Sequence, residues 1–168
     1  MAFNVSATNS CKIITISGKR YDPTSVTGDV IFTHIESGVT DSVIMNFDAG
    51  TGRGRINVPT STLTSSQGLY KVCLEEGGIS YACKPVLLHC DIDCCLTKLT
   101  NELLDCSCDC PRCSVALAKA QKIFLLLQSA MSSIEIAGEE QSHSYYQEIL
   151  KKYKKAREIC DNSCGCDC

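Results

Sequence analysis

What this chain lacks narrows it first. It has no long hydrophobic run: the longest apolar stretch, Ile123 to Leu127, is cut off by Gln128 and Ser129 and falls far short of the ~20 residues that span a bilayer. Its opening residues, Met1 to Ser10, carry neither a basic start nor an apolar segment, so no secretion signal is expected. It has no excess of positive charge. At a net charge of −3 it is not built as a general nucleic-acid binder, because affinity for phosphate backbones grows with the number of neutralising Lys and Arg side chains. Histidine is scarce, and His34, His89 and His143 stand too far apart to assemble a Ser/His/Asp set. Gly50 to Arg55 alternates glycine with other residues and carries two arginines. It lacks the strand-to-helix setting and the Lys-Ser/Thr ending of a phosphate loop, so it reads as a turn ahead of a strand.

What the chain has in abundance is cysteine. Eleven of its fourteen cysteines lie from Cys90 onward, in three knots: Cys90, Cys94 and Cys95; Cys106, Cys108, Cys110 and Cys113; Cys160, Cys164, Cys166 and Cys168. Thiols at that density are cross-linked or bound to metal, because so many free ones would oxidise at random. Without a secretion signal, folding begins in a reducing cytosol, which favours metal over disulfides. A virus particle is the exception, since it is assembled under reducing conditions and then lives outside the cell. The remaining composition is ordinary: with 44% hydrophobic residues, 168 residues can bury the core of one domain or of two small ones.

The first half reads as β. Cys11 to Ser17 is rich in β-branched residues and ends at Gly18, with Tyr21-Asp22-Pro23 supplying a turn. Further strands are expected at Asp29 to Ile35, Ser42 to Phe47, Gly54 to Val58, Gly68 to Leu74 and Ile79 to Leu88, separated by clusters of turn formers. Glu76-Gly77-Gly78 between the last two is the clearest hairpin. Six short strands without helical periodicity predict a small antiparallel sandwich over residues 1–89. Near His89 the period changes. Cys95, Leu96, Leu99 and Leu103 mark a first helix to about Asp105. Ser114 to Ile136, preceded by Pro111, forms a second with Leu117, Ala120, Phe124, Leu127, Met131 and Ile134 along one side. Ser142 to Ile159 forms a third, with Tyr146, Ile149, Leu150, Tyr153 and Ala156 as its stripe. The fold class is therefore α+β: a β-sandwich followed, over residues 90–168, by a cysteine-rich helical domain.

If the second and third helices form an antiparallel hairpin, their free ends meet, because ~20 residues at 1.5 Å each give both arms about the same reach. Cys106, Cys108, Cys110 and Cys113 would then face Cys160, Cys164, Cys166 and Cys168 in a clasp. Cys110-Pro111-Arg112-Cys113 has the two-residue gap of zinc knuckles, so these eight cysteines are the candidate metal ligands, with zinc as the cofactor. The single-residue gaps elsewhere disfavour disulfides between neighbours but not between knots, and cross-knot disulfides stand beside zinc as the second option. His89, Cys90, Cys94 and Cys95 form either a second site or a structural cluster whose cysteines pack as small hydrophobes or pair with Cys73 or Cys83. A thiol oxidoreductase built on Cys110 and Cys113 would need a βαβ setting, whereas this motif lies between two helices. Lys151, Lys152, Lys154, Lys155 and Arg157 form a basic run, read as a solvated surface or as a face for an acidic partner.

The order of features carries a resemblance. The strand Cys11-Lys-Ile-Ile-Thr-Ile16 comes first, followed by the hairpin segment Gly68-Leu-Tyr-Lys-Val72. Cys90-Asp-Ile-Asp-Cys-Cys-Leu-Thr-Lys-Leu99 and Cys106-Ser-Cys-Asp-Cys-Pro-Arg-Cys113 then lead into Ala118 to Leu127. This succession resembles small cysteine-rich structural proteins of tailed bacteriophages, including crAss-like phages. The resemblance implies a non-enzymatic virion component, a ring in the neck or tail made of repeated copies and bordered by portal, tail or neck proteins; the charge and the lack of a long apolar run, for their part, predict neither a nucleic-acid nor a membrane partner. Exposed edge strands of the sandwich and a clasped helical arm would both serve such assembly. The alternative is a cytosolic zinc-binding adaptor or regulatory protein.

Overall fold

A computed structural model describes residues 3–8, 10–105, 111–136 and 142–161. Seven strands come first: β1 (Asn4–Ala7), β2 (Ile13–Lys19), β3 (Thr27–His34), β4 (Thr40–Asn46), β5 (Arg53–Pro59), β6 (Gly68–Glu76) and β7 (Ile79–Leu88). Three helices follow: α1 (Cys90–Asp105), α2 (Pro111–Ile136) and α3 (His143–Asp161). The α+β class and the sandwich-then-helices order are as the sequence indicates. The backbone divides into two compact units, one holding the strands and the start of α3 through Tyr146, the other α1, α2 and the rest of α3.

In the first unit all pairing is antiparallel, in two sheets ordered β1-β2-β5 and β4-β3-β6-β7. Alternation builds the layers: Ile14 and Ile16 of β2, Val30 and Phe32 of β3, and Val72 and Leu74 of β6 are buried at every second position. A side chain at Gly18 of β2 would meet Leu74 of β6 and Met45 of β4, so the two sheets face each other across this core. The strand order and connections are those of an immunoglobulin-like sandwich. A second mark of that architecture is the corner at the start of β6, where the buried Tyr70 hydroxyl donates to the Ser65 carbonyl (2.5 Å) and accepts from the Ser65 N–H (3.1 Å).

Behind this corner His34 is buried with both ring nitrogens engaged. The Gln67 carbonyl, 3.1 Å from Nε2, can only accept, so Nε2 carries the proton and Nδ1 accepts from the Ser37 hydroxyl at 2.8 Å. Gly68 is required beside it: its φ is +102°, and a Cβ there would lie 2.6 Å from His34 Nε2.

The β6–β7 hairpin turns through Gly77 and Gly78, both at positive φ, as the two-residue turn that matches strand twist demands. Just before it, the buried Glu76 carboxylate accepts the N–H groups of Tyr21 and Asp22, each at 2.8 Å. The Tyr21 ring stacks on Tyr81 of β7 at 4.7 Å. The same end of the sandwich is drawn together by Arg20, which donates to the Ser25 carbonyl (3.1 Å) and the Ala49 carbonyl (3.2 Å). Asp22 caps its own turn through the Thr24 N–H and hydroxyl, and Asp48 does the same through Thr51.

Two expectations needed correction. β1 was not foreseen, because Asn4-Val5-Ser6-Ala7 has little apolar content of its own and is a strand by virtue of pairing along β2. Cys11 does not open β2; its φ of 51° makes it part of the preceding bend, held by the Thr60 hydroxyl donating to its carbonyl at 2.7 Å. The two sheets keep separate edges: β1 lies beside β7 without pairing to it, and a single bridge joins Phe47 after β4 to Gly54 of β5.

Two measurements test this half. Tyr70→Phe removes both hydrogen bonds to Ser65 at this part-buried corner and should lower stability by about 1 to 2 kcal/mol, read as a fall in Tm. The carboxyls of Asp22 and Asp48 are held below their ordinary value of 3.8, chiefly by their hydrogen bonds from Thr24 and Thr51 respectively. A depressed carboxylate contributes stability above pH 3.8 that is lost as pH falls through its folded value. Between pH 5 and pH 2 the Tm of the parent should therefore drop more steeply than that of an Asp22→Asn, Asp48→Asn variant.

Candidate functional site

All eight described cysteines, Cys11, Cys73, Cys83, Cys90, Cys94, Cys95, Cys113 and Cys160, are disulfide-bonded. Cys73 and Cys83 are directly opposed in the β6–β7 register, which brings their Cα atoms to 4.1 Å and joins the hairpin across its outer face. Cys95 of α1 joins Cys160 near the end of α3, with Cα atoms 5.8 Å apart and 65 positions of chain between them. Both partners are fully packed, at 0% and 2% exposure.

These pairings revise the cysteine reading. Cys73 and Cys83 pair with each other and not with the first knot. The third knot, through Cys160, is tied to the first knot at Cys95. Of the eight expected metal ligands, Cys106, Cys108, Cys110, Cys164, Cys166 and Cys168 lie outside the described residues, as does the rest of the expected clasp. Cys113 and Cys160 are described, and their sulfurs are oxidised. A disulfide sulfur is not the thiolate that zinc requires, so these two do not fit the metal. Among the described residues no group of three or more His, Cys, Asp or Glu side chains is placed to hold an ion. The alternative site at His89 meets the same objection, since Cys90, Cys94 and Cys95 are all oxidised. His89 Nδ1 instead sits 2.9 Å from Asp93 Oδ2, one helical turn on, but out of line for a hydrogen bond.

Around the Cys95–Cys160 bridge the helical unit is built on a few polar contacts among apolar stripes. α1 and α2 pack together. On α3, the buried Tyr153 donates its hydroxyl to Asp91 Oδ2 of α1 at 2.8 Å, and the Arg157 guanidinium lies over its ring. Burial, reinforced by the Asp91 charge, pushes the Tyr153 hydroxyl far up, so it stays protonated as a donor. Asp91 meets Tyr153 and Cys95 meets Cys160, so α1 and α3 run in the same direction. Lys152 reaches from α3 to the Ser133 hydroxyl on α2 at 3.3 Å.

The α3 stripe is as expected, with Tyr146, Ile149, Leu150, Tyr153 and Ala156 all buried. The α2 stripe is right in part: Leu127 is buried and Ala120, Met131 and Ile134 are half-buried, but Leu117 and Phe124 face outward, and Ala116, Ile123 and Ala130 pack in their place. The basic run divides: Lys152 and Arg157 fold onto neighbours, whereas Lys151, Lys154 and Lys155 stay exposed along a shallow groove with Gln147 and Glu158. No described helix is long and apolar enough to cross a membrane.

Neither a comparison with known protein families nor one with curated proteins finds a match to this chain.

The sulfur assignments are open to direct tests. Thiol titration of the unfolded, unreduced protein should find no more than six reactive groups of the fourteen cysteines, with all fourteen appearing after reduction. Replacing Cys95 and Cys160 by serine opens a long loop and should cost on the order of 4 kcal/mol, against about 3 kcal/mol for Cys73 and Cys83 in their short hairpin. Paired thermal melts give that ranking.

Proposed function

We propose that this chain is a non-enzymatic structural component of a tailed-phage virion, a subunit of a head-to-tail ring in the neck or tail. The observation that supports a mechanical role is the oxidised state of every described cysteine, with the Cys95–Cys160 bridge fixing one helix to another. Cross-links of this kind typically add ~2 to 5 kcal/mol to a small domain and persist where reductant is absent, as in a released particle. The buried polar side chains support the same reading, because they hold backbone in place: Glu76 the β2–β3 turn, Tyr70 the β6 corner, His34 the segments at Ser37 and Gln67. The assignment to a phage particle rests on the resemblance carried by the Cys90 to Leu99 and Cys106 to Cys113 segments.

Zinc enters this reading through the six cysteines that lie outside the described residues, three in Cys106-Ser-Cys-Asp-Cys110 and three in Cys164-Gly-Cys-Asp-Cys168, whose residue type suits it. A second reading, an adaptor for an acidic partner, has one observation in its favour: the exposed lysines Lys151, Lys154 and Lys155 on one side of α3.

Mass spectrometry of purified particles of a phage encoding the chain tests the proposal. The protein should be present at a fixed multiple of the portal protein and should stay with the particles through density-gradient purification. Recovery only from the soluble fraction of infected cells, with stoichiometric zinc by elemental analysis, would replace the virion reading with the adaptor.

A further inference from the structure

Sulfur matters unequally to the two units. In the sandwich, Cys73 and Cys83 join positions that the β6–β7 ladder already holds opposite each other, beside a core that includes the fully buried Ile14, Ile16, Val30, Phe32, Val72 and Leu74. Strand pairing and apolar burial define that structure without the bridge. The helical unit has less apolar material to rely on. Ala116, Ala130 and Ala156 occupy three of its buried positions, and Cys95 and Cys160 themselves occupy two more. Cys160 is the one cysteine within α3, so Cys95–Cys160 is the only sulfur bond that this helix itself carries. Beside it stand Tyr153–Asp91 and Lys152–Ser133, single hydrogen bonds of modest net strength.

Access differs as well. Thiol–disulfide exchange requires a thiolate to attack one of the two sulfurs directly. Cys83 is half-buried on a sheet face, whereas Cys95 and Cys160 are closed off inside the helical unit. A reductant therefore meets the hairpin bridge in the folded protein, and meets the Cys95–Cys160 bridge only after α3 has moved off α1.

We propose that Cys95 and Cys160 form a redox latch, closed over α3 in oxidising surroundings and open in reducing ones, while the sandwich keeps its fold in both. Closing proceeds through a low-molecular-weight disulfide such as oxidised glutathione. One unlatched cysteine thiolate attacks it, forming a mixed disulfide and expelling the first small thiol; the other cysteine displaces the second as α3 settles on α1. The S–S bond of the small disulfide breaks, the Cys95–Cys160 bond forms, and the two protons and two electrons of the cysteine pair leave on the two small thiols. Packing then shields the new bond from the reverse reaction. The latch belongs to the chain's own chemistry and stands apart from the virion reading.

Hydrogen exchange read by mass spectrometry tests it on the full chain in three states: oxidised, reduced with a phosphine, and oxidised with Cys95→Ser and Cys160→Ser. Amides of residues 147–160 should exchange at least about a hundredfold faster in the second and third states than in the first, as release of a loop of this length predicts. Amides of β2, β3 and β6 should stay protected in all three. Equal protection of residues 147–160 with and without the bridge would overturn the latch, and loss of the sandwich together with α3 would overturn its independence. Alkylation during gradual reduction of the parent gives a second measurement that needs no substitution. Cys73 and Cys83 should be labelled well before Cys95 and Cys160; labelling of all four at one rate would show that packing does not shield the bridge.

Discussion

Between Cys95 and Cys160 the chain passes through all of α2 and nearly all of α3 before returning to α1, and the bridge converts that long excursion into a closed loop. The helical unit depends on this closure. α1 has only Ile92, Cys95 and Leu99 fully buried, so its apolar surface alone gives α3 little to hold. The sulfur bond and the Tyr153–Asp91 hydrogen bond fix α3 at two heights along α1, which determines both the direction and the rotation of the third helix. Losing the bridge would leave a tyrosine–aspartate pair to do the work of both.

The sandwich is held by a different logic. Its core is alternating aliphatic and aromatic side chains, and polar groups enter at the ends of strands, where the backbone must turn. Glu76, Tyr70 and His34 each bond to backbone or hydroxyl groups of a neighbouring loop. A buried polar group of this kind is expensive to strand and specific in what it accepts, so each fixes one loop conformation. The loops between β2 and β3, between β3 and β4, and between β5 and β6 are consequently set by side chains as well as by chain geometry.

Much of this was legible in the sequence, for identifiable reasons. Six of the seven strands and all three helices announced themselves through period and punctuation: Gly77-Gly78 marked its hairpin, and Pro111 opened α2. The α3 stripe was legible because polar residues fill its other face. α2 was legible only in part, since leucines and alanines at nearly every angle leave periodicity little to choose between; Leu127 was found, but packing selects Ala116 and Ile123 over Leu117 and Phe124. β1 was hidden because it is made by its neighbour. The cysteine pairings were hidden for a similar reason: spacing limits which sulfurs can meet, but Cys95 finds Cys160 only once three helices have been arranged, and Cys73 finds Cys83 through strand register.

β1 lies beside β7, and β4 beside β5, yet among the described residues a single bridge, from Phe47 to Gly54, is the backbone bonding at these borders. The two sheets are therefore joined by side-chain packing and by loops rather than by a ladder running round a closed barrel, and the layers keep their spacing only as long as the interior between them stays filled.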